Sequence, residues 1–536
     1  MSWTNAFQVL GGVGLFLFGI RLMSETLQSL AGDRLRQLIG SLTRTPIRGV
    51  FIGALVAMLI QSSGGTTVMT VSFVHAGLMT LKQAVGVIMG ANIGTTVTAQ
   101  LVAFRIKDLA LPILGIGVML VVFGRKKKHR YIGNGLVGFG LLFLGMQTME
   151  TAMSFLQGRK DLFMGLGENP LLGVLVGTAV TMVVQASSAT IGLTMAMAAQ
   201  GLLTLDAAIP IILGDNIGTT IGAVIASLGS NRSAKQAAAA HVLFNIIGTF
   251  IFLAALPLFK QAVLATSGDI SRQLANSHSI FNIVNTIIFL PFTSLFVWLI
   301  RQIVPDRGEA AHSGPMYLDM KLVDASPAAA VDAVKKEILH MGALAVQMLG
   351  YVRQAFEEND PKMIEEVGQA ERGVNEINRA ISAYASEIWQ KGLSGDLSTV
   401  LGSYVNGTGD IERIGDHATN LIELYEYKSD NGVEFSPVAM GEFRDMFGLV
   451  QNAVDLSLQS LDEEDAAKAK EVDLIEDEVD KKEKMLRKNH IARLNTGDCT
   501  PSAGVIFIDI LSNLERICDH AHNLSFIALD ITRLQR

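Results

Sequence analysis

The 536-residue chain is short of charge and almost without cysteine. Asp, Glu, Lys and Arg make up 17% of it, well under the roughly 25% of soluble domains, while 49% is hydrophobic. One water-soluble core does not account for that balance. The only cysteines are Cys499 and Cys518, so no disulfide framework is implied and a reducing compartment is acceptable. No Lys or Arg precedes the first apolar run, Arg21 coming after it. A cleavable signal peptide is therefore not expected, and the first segment is expected to stay as a span. The chain also lacks a P-loop glycine motif and a nucleophile motif in a recognisable context, so an enzyme is not expected.

The charges that are present are sorted along the chain. The first 300 residues hold 19 Lys/Arg and 9 Asp/Glu, the remainder 24 and 41, for net charges of about +10 and −17. Two modules with different solvents are implied. Apolar stretches near the roughly 20 residues needed to cross a bilayer lie at 7–29, 83–104, 108–124, 131–156, 206–228, 238–257 and 279–300. Two more, 46–80 and 170–204, are broken midway by QSSGGTT and QASSAT. Each half is about 15 residues, or about 22 Å of helix, and reads as one arm of a hairpin that turns back inside the membrane.

Lys and Arg stay on the cytoplasmic side. Arg34, Arg36, Arg44 and Arg48 mark one loop, Arg125 to Arg130 (RKKKHR) a second, and Arg232 with Lys235 a third. If all are inside, the N-terminus lies outside and the acidic module is cytoplasmic. Residues 61–100 align without gaps to 185–224, with 17 identities in 40, among them both NIGTT runs at Asn92 and Asn216. Three full spans separate the copies, so the second is inverted relative to the first. Inverted repeats with paired broken helices are the construction of a secondary transporter.

Non-helical backbone at membrane depth must line a polar cavity or be satisfied by protein. The half-helix after each break offers N–H groups and a partial positive charge to an anion, so Gln61, Ser62, Ser63, Gly64, Gly65 and Thr66, with Gln185, Ser187, Ser188 and Thr190, are the candidate anion ligands. Side-chain and backbone oxygens suit a hard cation such as sodium. The candidates are Gln61, Ser63, Asn92, Thr95 and Thr96 in the first copy, and Gln185, Ser187, Asp215, Asn216, Thr219 and Thr220 in the second. Asp215 stands where the first copy has Ala91 and, as an ionisable group inside a span, is a candidate for ion coupling or for a structural pairing. Neither motif contains Lys or Arg, so co-bound cations are expected to offset the anion's charge. Packing is the expected role of His75, and helix-to-helix hydrogen bonding that of HVLFN at His241 and HSIFN at His278.

At these residues the chain resembles the type II sodium/phosphate cotransporter family, whose hallmark is a duplicated QSSS-like motif, over about residues 5–300. The resemblance implies inorganic phosphate as substrate, sodium as the co-transported ion, and binding by the two QSS regions. Ala186 departs from the motif.

The acidic module, 325–536 after a linker at 304–324, shows long helical periodicity and a second internal repeat. DIERIGDHATNL at Asp410 matches NLERICDHAHNL at Asn513. Carboxylates four apart, Glu412 with Asp416 and Glu515 with Asp519, are preceded by Glu371 with Asn375 and Glu476 with Asp480. Such groups can converge on a divalent or transition metal, or form an exposed acidic face. The ERIxDHAxN strings resemble the PhoU domain, which implies two three-helix bundles, metal binding and a regulatory role. The expected architecture is thus all-α: a polytopic membrane domain over 1–303, with repeats at about 5–124 and 131–257 and an extra span at 279–300, and a cytoplasmic PhoU-like domain. A bacterial inner-membrane location, a homodimer, phosphate-regulation proteins as partners and no nucleic acid are further expectations. An exporter, or a membrane phosphate sensor, is the alternative.

Overall fold

The computed structural model describes residues 3–31, 45–104, 109–154, 156, 161–305, 314–393, 395–497 and 499–534. Among them every regular element is helical, and the chain divides into two compact units, Met1–Arg307 and Gly308–Arg536. The loop arginines Arg34, Arg36 and Arg44 lie outside the described residues.

The first unit opens with α1 (Trp3–Ala31), then α2 (Pro46–Ile60), α3 (Ser63–His75), α4 (Leu81–Ala103) and α5 (Ala110–Phe123). The series repeats as α6 (Lys127–Met153), a short α7 (Asp161–Glu168), α8 (Pro170–Val184), α9 (Ser187–Ala199), α10 (Leu205–Gly218) and α11 (Ile221–Ser227). It ends with α12 (Arg232–Ala254), α13 (Leu256–Leu264), α14 (Ile270–Phe289) and α15 (Thr293–Ile303). Among the described residues, six helical stretches are long and apolar enough to cross a membrane. The hairpins are α2–α3 and α8–α9, with 15 residues in the first arm and 13 in the second of each. Both first arms start with proline at the first helical position behind a polar cap, Thr45 or Asn169, where the missing N–H costs nothing.

The two copies face each other antiparallel. A Cβ on Gly19 would lie 2.5 Å from the Gly138 carbonyl oxygen, and one on Gly145 would lie 2.6 Å from that of Gly12. Gly12 and Gly138 are 126 residues apart, as are Gly19 and Gly145. Exchanging α1 and α6 therefore maps the contact onto itself, which requires a local two-fold axis across an antiparallel pair. The pair α12 and α14 behaves alike: Phe244 meets Phe289 at 5.2 Å, and Phe252 meets Phe281 at 5.0 Å, each edge to face. Within each copy the first hairpin arm lies directly on the NIGTT helix, with Gly90 against the Val50 carbonyl and Gly214 against that of Val174.

Several boundaries differ from expectation. The apolar run at 108–124 yields α5, only 14 residues and thus about 21 Å long. The run at 206–228 is kinked at Thr219 and Thr220, between α10 and α11. The last span begins at Ile270 and is interrupted by a 3-10 turn, Leu290–Phe292, because Pro291 has no N–H to give to the helix.

In the second unit, after a short α16 (Met320–Ala325), α17 (Pro327–Glu358), α18 (Lys362–Gln390) and α19 (Gly395–Asp430) form one three-helix bundle. The helices α20 (Pro437–Glu463), α21 (Ala466–Thr496) and α22 (Pro501–Leu534) form the other, joined to the first through α19 and α22. Part of the expected linker is built into this unit. The N–H groups of Met316 and Tyr317 donate to the fully buried Glu337 carboxylate at 3.0 and 2.6 Å, and the Tyr384 hydroxyl donates to the Asp319 carbonyl.

Close helix approach gives a direct test. Gly90→Val would drive a side chain into the α2 backbone and is expected to destabilise the detergent-solubilised protein by about 1–3 kcal/mol. Gly115→Val, which meets nothing within 4 Å, should leave the unfolding midpoint nearly unchanged.

Candidate functional site

Each hairpin breaks on a glutamine. Gln61 ends α2 at φ 55° and Gln185 ends α8 at φ 54°, both left-handed, a conformation that costs a non-glycine residue roughly 1–3 kcal/mol. After Gln61, the extended Ser62 caps α3, its hydroxyl oxygen accepting from the Gly65 N–H at 2.9 Å. Ala186 takes the same backbone position before α9 but has no side chain to cap with. One acceptor is thus missing from the first turn of α9, where N–H groups need partners.

The two breaks open on one cavity of roughly 620 Å³. Gln61, Ser62, Ser63, Gly64 and Gly65 line it from the first copy, and Gln185, Ser187 and Ser188 from the second, with Thr95 and Thr219 contributed by the NIGTT segments. A Cβ on Gly64 would lie 4.0 Å from the Thr219 side chain, so the first break sits against the second copy's NIGTT run. The remaining candidates lie behind this surface. Thr66 and Thr190 are buried, and Thr66 donates to the Ser62 carbonyl. Asn92 donates to Ile88, Thr96 to Ile93 and Thr220 to Ile217, each within its own helix.

Asp215 is fully buried and doubly held: Thr181 donates to Oδ1 at 2.8 Å and Ser187 to Oδ2 at 2.5 Å. Thr181 also bonds the Thr190 hydroxyl at 2.8 Å, and Thr178 donates to the Gly214 carbonyl. At the matching positions of the first copy stand Ala54, Ala57 and Ala91. Thr178, Thr181 and Asp215 are therefore one polar unit present in one copy only. Sequence reasoning found the aspartate and missed its threonines, which the same alignment extended backwards would have shown.

It also missed α1. Arg21, Ser24 and Glu25 line the cavity, Arg21 Nε donating to Glu25 at 2.7 Å and the Ser24 hydroxyl to the Ile60 carbonyl at 2.5 Å. The motifs carry no cation, as read, but the cavity does. Co-bound ions are then not the sole positive charge available to an anion. The signal was present: two ionisable residues one turn apart within an expected span.

Away from the cavity, Asn282 donates to the Asn216 amide oxygen at 3.1 Å, bridging α14 and α10. Asn245 instead donates to His241 of its own helix, and neither His241 ring nitrogen finds a partner. His75 does more than pack. Its Nδ1 accepts the Asn231 N–H and its carbonyl accepts from the Asn231 side chain, tying α3 to the turn before α12.

In the second unit, Glu476, Asp480 and Asp519 bring one oxygen each within 4.8 Å of one another. Burial, then the neighbouring carboxylates, raises the pKa of Glu476 and Glu515 above the usual carboxylate range, and that of Asp519 likewise. Mutual repulsion of this kind suits a cation. The first bundle differs: Asn375 donates to Glu371 at 3.3 Å, and Glu371, Glu412 and Asp416 form no such group among the described residues.

Comparison with known proteins agrees with both units. Residues 15–151 and 153–271 match the family of Na+/Pi-cotransporters, and residues 338–424 and 443–528 each match the PhoU domain. YqeW of Bacillus subtilis, an uncharacterized protein, is 29% identical over 293 residues, which is 54% of this chain and 95% of that one. YjbB of Salmonella typhimurium, provisionally named an inorganic phosphate export protein, is 24% identical over 413 residues, 76% of either chain. The human sodium-dependent phosphate transport protein 2B is 37% identical over 97 residues, 18% of this chain and 14% of its own. With the duplicated breaks and the paired three-helix bundles in place, the first unit belongs, over residues 15–271, to the Na+/Pi-cotransporter family, and the second unit carries the PhoU domain.

Proposed function

We propose that this protein carries inorganic phosphate across the cell's inner membrane, coupled to sodium, with the second unit regulating the flux from the cytoplasm. The observation that carries the reading is the single cavity onto which both broken helices open. Serine hydroxyls and half-helix N-termini supply donors for phosphate oxygens. Thr95, Thr219 and the carbonyls ending α2 and α8 offer oxygens for sodium. Phosphate is favoured by the names of YjbB and the human relative and by the family's description, sodium by the human relative and the family's description. Outward flux is the second reading, favoured by the name of YjbB, which matches this chain over 76% of its length. The basic segment Arg125–Arg130, which follows α5 and runs into the first turn of α6, supports an N-terminus outside. In the second unit, Glu476, Asp480 and Asp519 would hold a divalent cation, which would neutralise their repulsion and fix α21 against α22.

Purified protein in liposomes should accumulate radiolabelled phosphate under an imposed sodium gradient and far less with potassium or choline. Arsenate should compete more strongly than sulfate. Equal uptake with all three cations would remove sodium from the mechanism.

Asp215→Asn is expected to change the sodium dependence of that flux, since the carboxylate holds Ser187 at the cavity wall. Unchanged stoichiometry would leave Asp215 a structural role. Asp215→Ala should lower stability by about 1–3 kcal/mol for each hydroxyl left unpaired.

Cation binding by the second unit should weaken on acidification. Protons compete for Glu476 and Asp519 at a pH above the ordinary carboxylate range, because their pKa values in the folded protein are raised. The ion-free protein shows the opposite sign: stability lost as pH rises through those raised values returns as pH falls. Equilibrium dialysis of the full chain against manganese, with Asp519→Asn as control, reads the first effect, and thermal unfolding across pH reads the second.

A further inference from the structure

The cavity contains one charged pair that the family motifs do not account for. Among the described residues, Arg21 and Glu25 are the only charged side chains lining it, both on α1 and both exposed to solvent. Their mates under the α1–α6 exchange are Gln147 and Thr151, neither charged. Ser24, which tethers α1 to the last carbonyl before the first break, has Glu150 as its mate, and Glu150 is buried. The charge at the cavity is therefore one-sided, although the helices that frame it are related by a two-fold axis.

We infer that Arg21 is a phosphate-recognition residue serving one face of the membrane only, and that Glu25 is the internal anion it releases when phosphate arrives. This rests on the phosphate-transport reading above. The chemistry follows from the guanidinium fork. Arg21 spends Nε on Glu25, and its terminal nitrogens meet no carboxylate among the described residues. Two parallel N–H donors match two phosphate oxygens, and the bond to a dianion is charge-assisted. In the absence of substrate, Glu25 is the carboxylate that Arg21 Nε holds at the solvent-open mouth of the cavity. Phosphate displaces it, exchanging one carboxylate for a ligand of greater charge.

The asymmetry sets the consequence. In an inverted-repeat carrier the second access state exchanges the roles of the related elements. The cavity would then be lined by α6, which offers Gln147 where α1 offers Arg21. Phosphate should be held more tightly from the side served by α1, so the carrier is biased in affinity though not in equilibrium, which the gradients alone decide.

Right-side-out and inverted membrane vesicles holding the full chain separate the two faces. Phosphate KM is measured at each face for the unaltered protein, Arg21→Gln, Arg21→Lys and Glu25→Gln. Arg21→Gln should raise KM tenfold or more at one face and leave the other within twofold, which also shows that the variant folds. Arg21→Lys, a point charge without the fork, should give an intermediate rise. Glu25→Gln should lower KM at the same face, because the competitor is gone. Equal changes at both faces, no change at either, or a raised KM in Glu25→Gln would overturn the inference while leaving phosphate transport intact. If the unaltered protein moves no phosphate, the transport reading falls, and the inference with it. Should Arg21→Gln show no flux at all, phosphate-dependent thermal stabilisation of that variant decides: protection equal to that of the unaltered protein refutes a recognition role, and lost protection with Glu25→Gln still tightened supports it.

Discussion

An interrupted helix inside a bilayer has no water to turn to, and the membrane unit is organised around that constraint. At Gln61 and Gln185 the backbone adopts the left-handed conformation at a cost of roughly 1–3 kcal/mol each. The surroundings sustain it in both copies. On one side the first arm is pressed onto the NIGTT helix by glycines that admit backbone to backbone. On the other, a tight cap or a hydroxyl network holds the start of the second arm. Each break still leaves a group short of a partner: the Gln61 side-chain oxygen is buried without one, and the capping hydroxyl is missing at Ala186.

The two-fold relation and its violations come from different layers of the structure. Packing residues obey it, as the paired contacts of Gly12 with Gly145 and Gly19 with Gly138 show. Charged residues do not. Asp215 appears with Thr178 and Thr181 in one copy, against three alanines in the other. An added carboxylate in a buried place is tolerated only if donors come with it, and Thr181 supplies one where the other copy has Ala57, while Thr178 donates to the Gly214 carbonyl beside it. The same rule separates Asp215 from Arg21: the former is walled in by hydroxyls, while the latter has a counter-ion and solvent.

Much of this was legible in the sequence, and the misses have physical causes. The hairpins, the repeat and the helical second unit follow from hydropathy length, polar interruptions and periodicity, all local properties. The early start of the last span was not legible from hydropathy, because Ile270–Phe289 opens on a polar turn, Ile270 to Gln273, that is helical behind the Asp269 cap. Among candidate ligands, the residues at the breaks reach the cavity, while Asn92, Thr96 and Thr220 turn back onto their own helices. Motif membership does not say which way a side chain faces. Arg21 and Glu25 stood outside the repeated motif, and so outside a search guided by repetition.

The second unit repeats the lesson in a different solvent. Its halves meet at a stacked pair, His417 and His520, with ring centroids 5.8 Å apart. His417 reaches Asn513, and His520 reaches Asp410, the residue at the matching position of the other half. Backbone and stacking keep the duplication, while one partner is an amide and the other an acid. The substitution at Asn375 falls in the same half as Asp410, and there the amide silences Glu371 by donating to it, where Asp480 in the other half adds to the repulsion at Glu476. One bundle has thereby become electrostatically quiet and the other strained. An ion bound at the strained one would alter the balance between halves that are otherwise alike, which is the physical basis on which such a unit can respond to its surroundings at all.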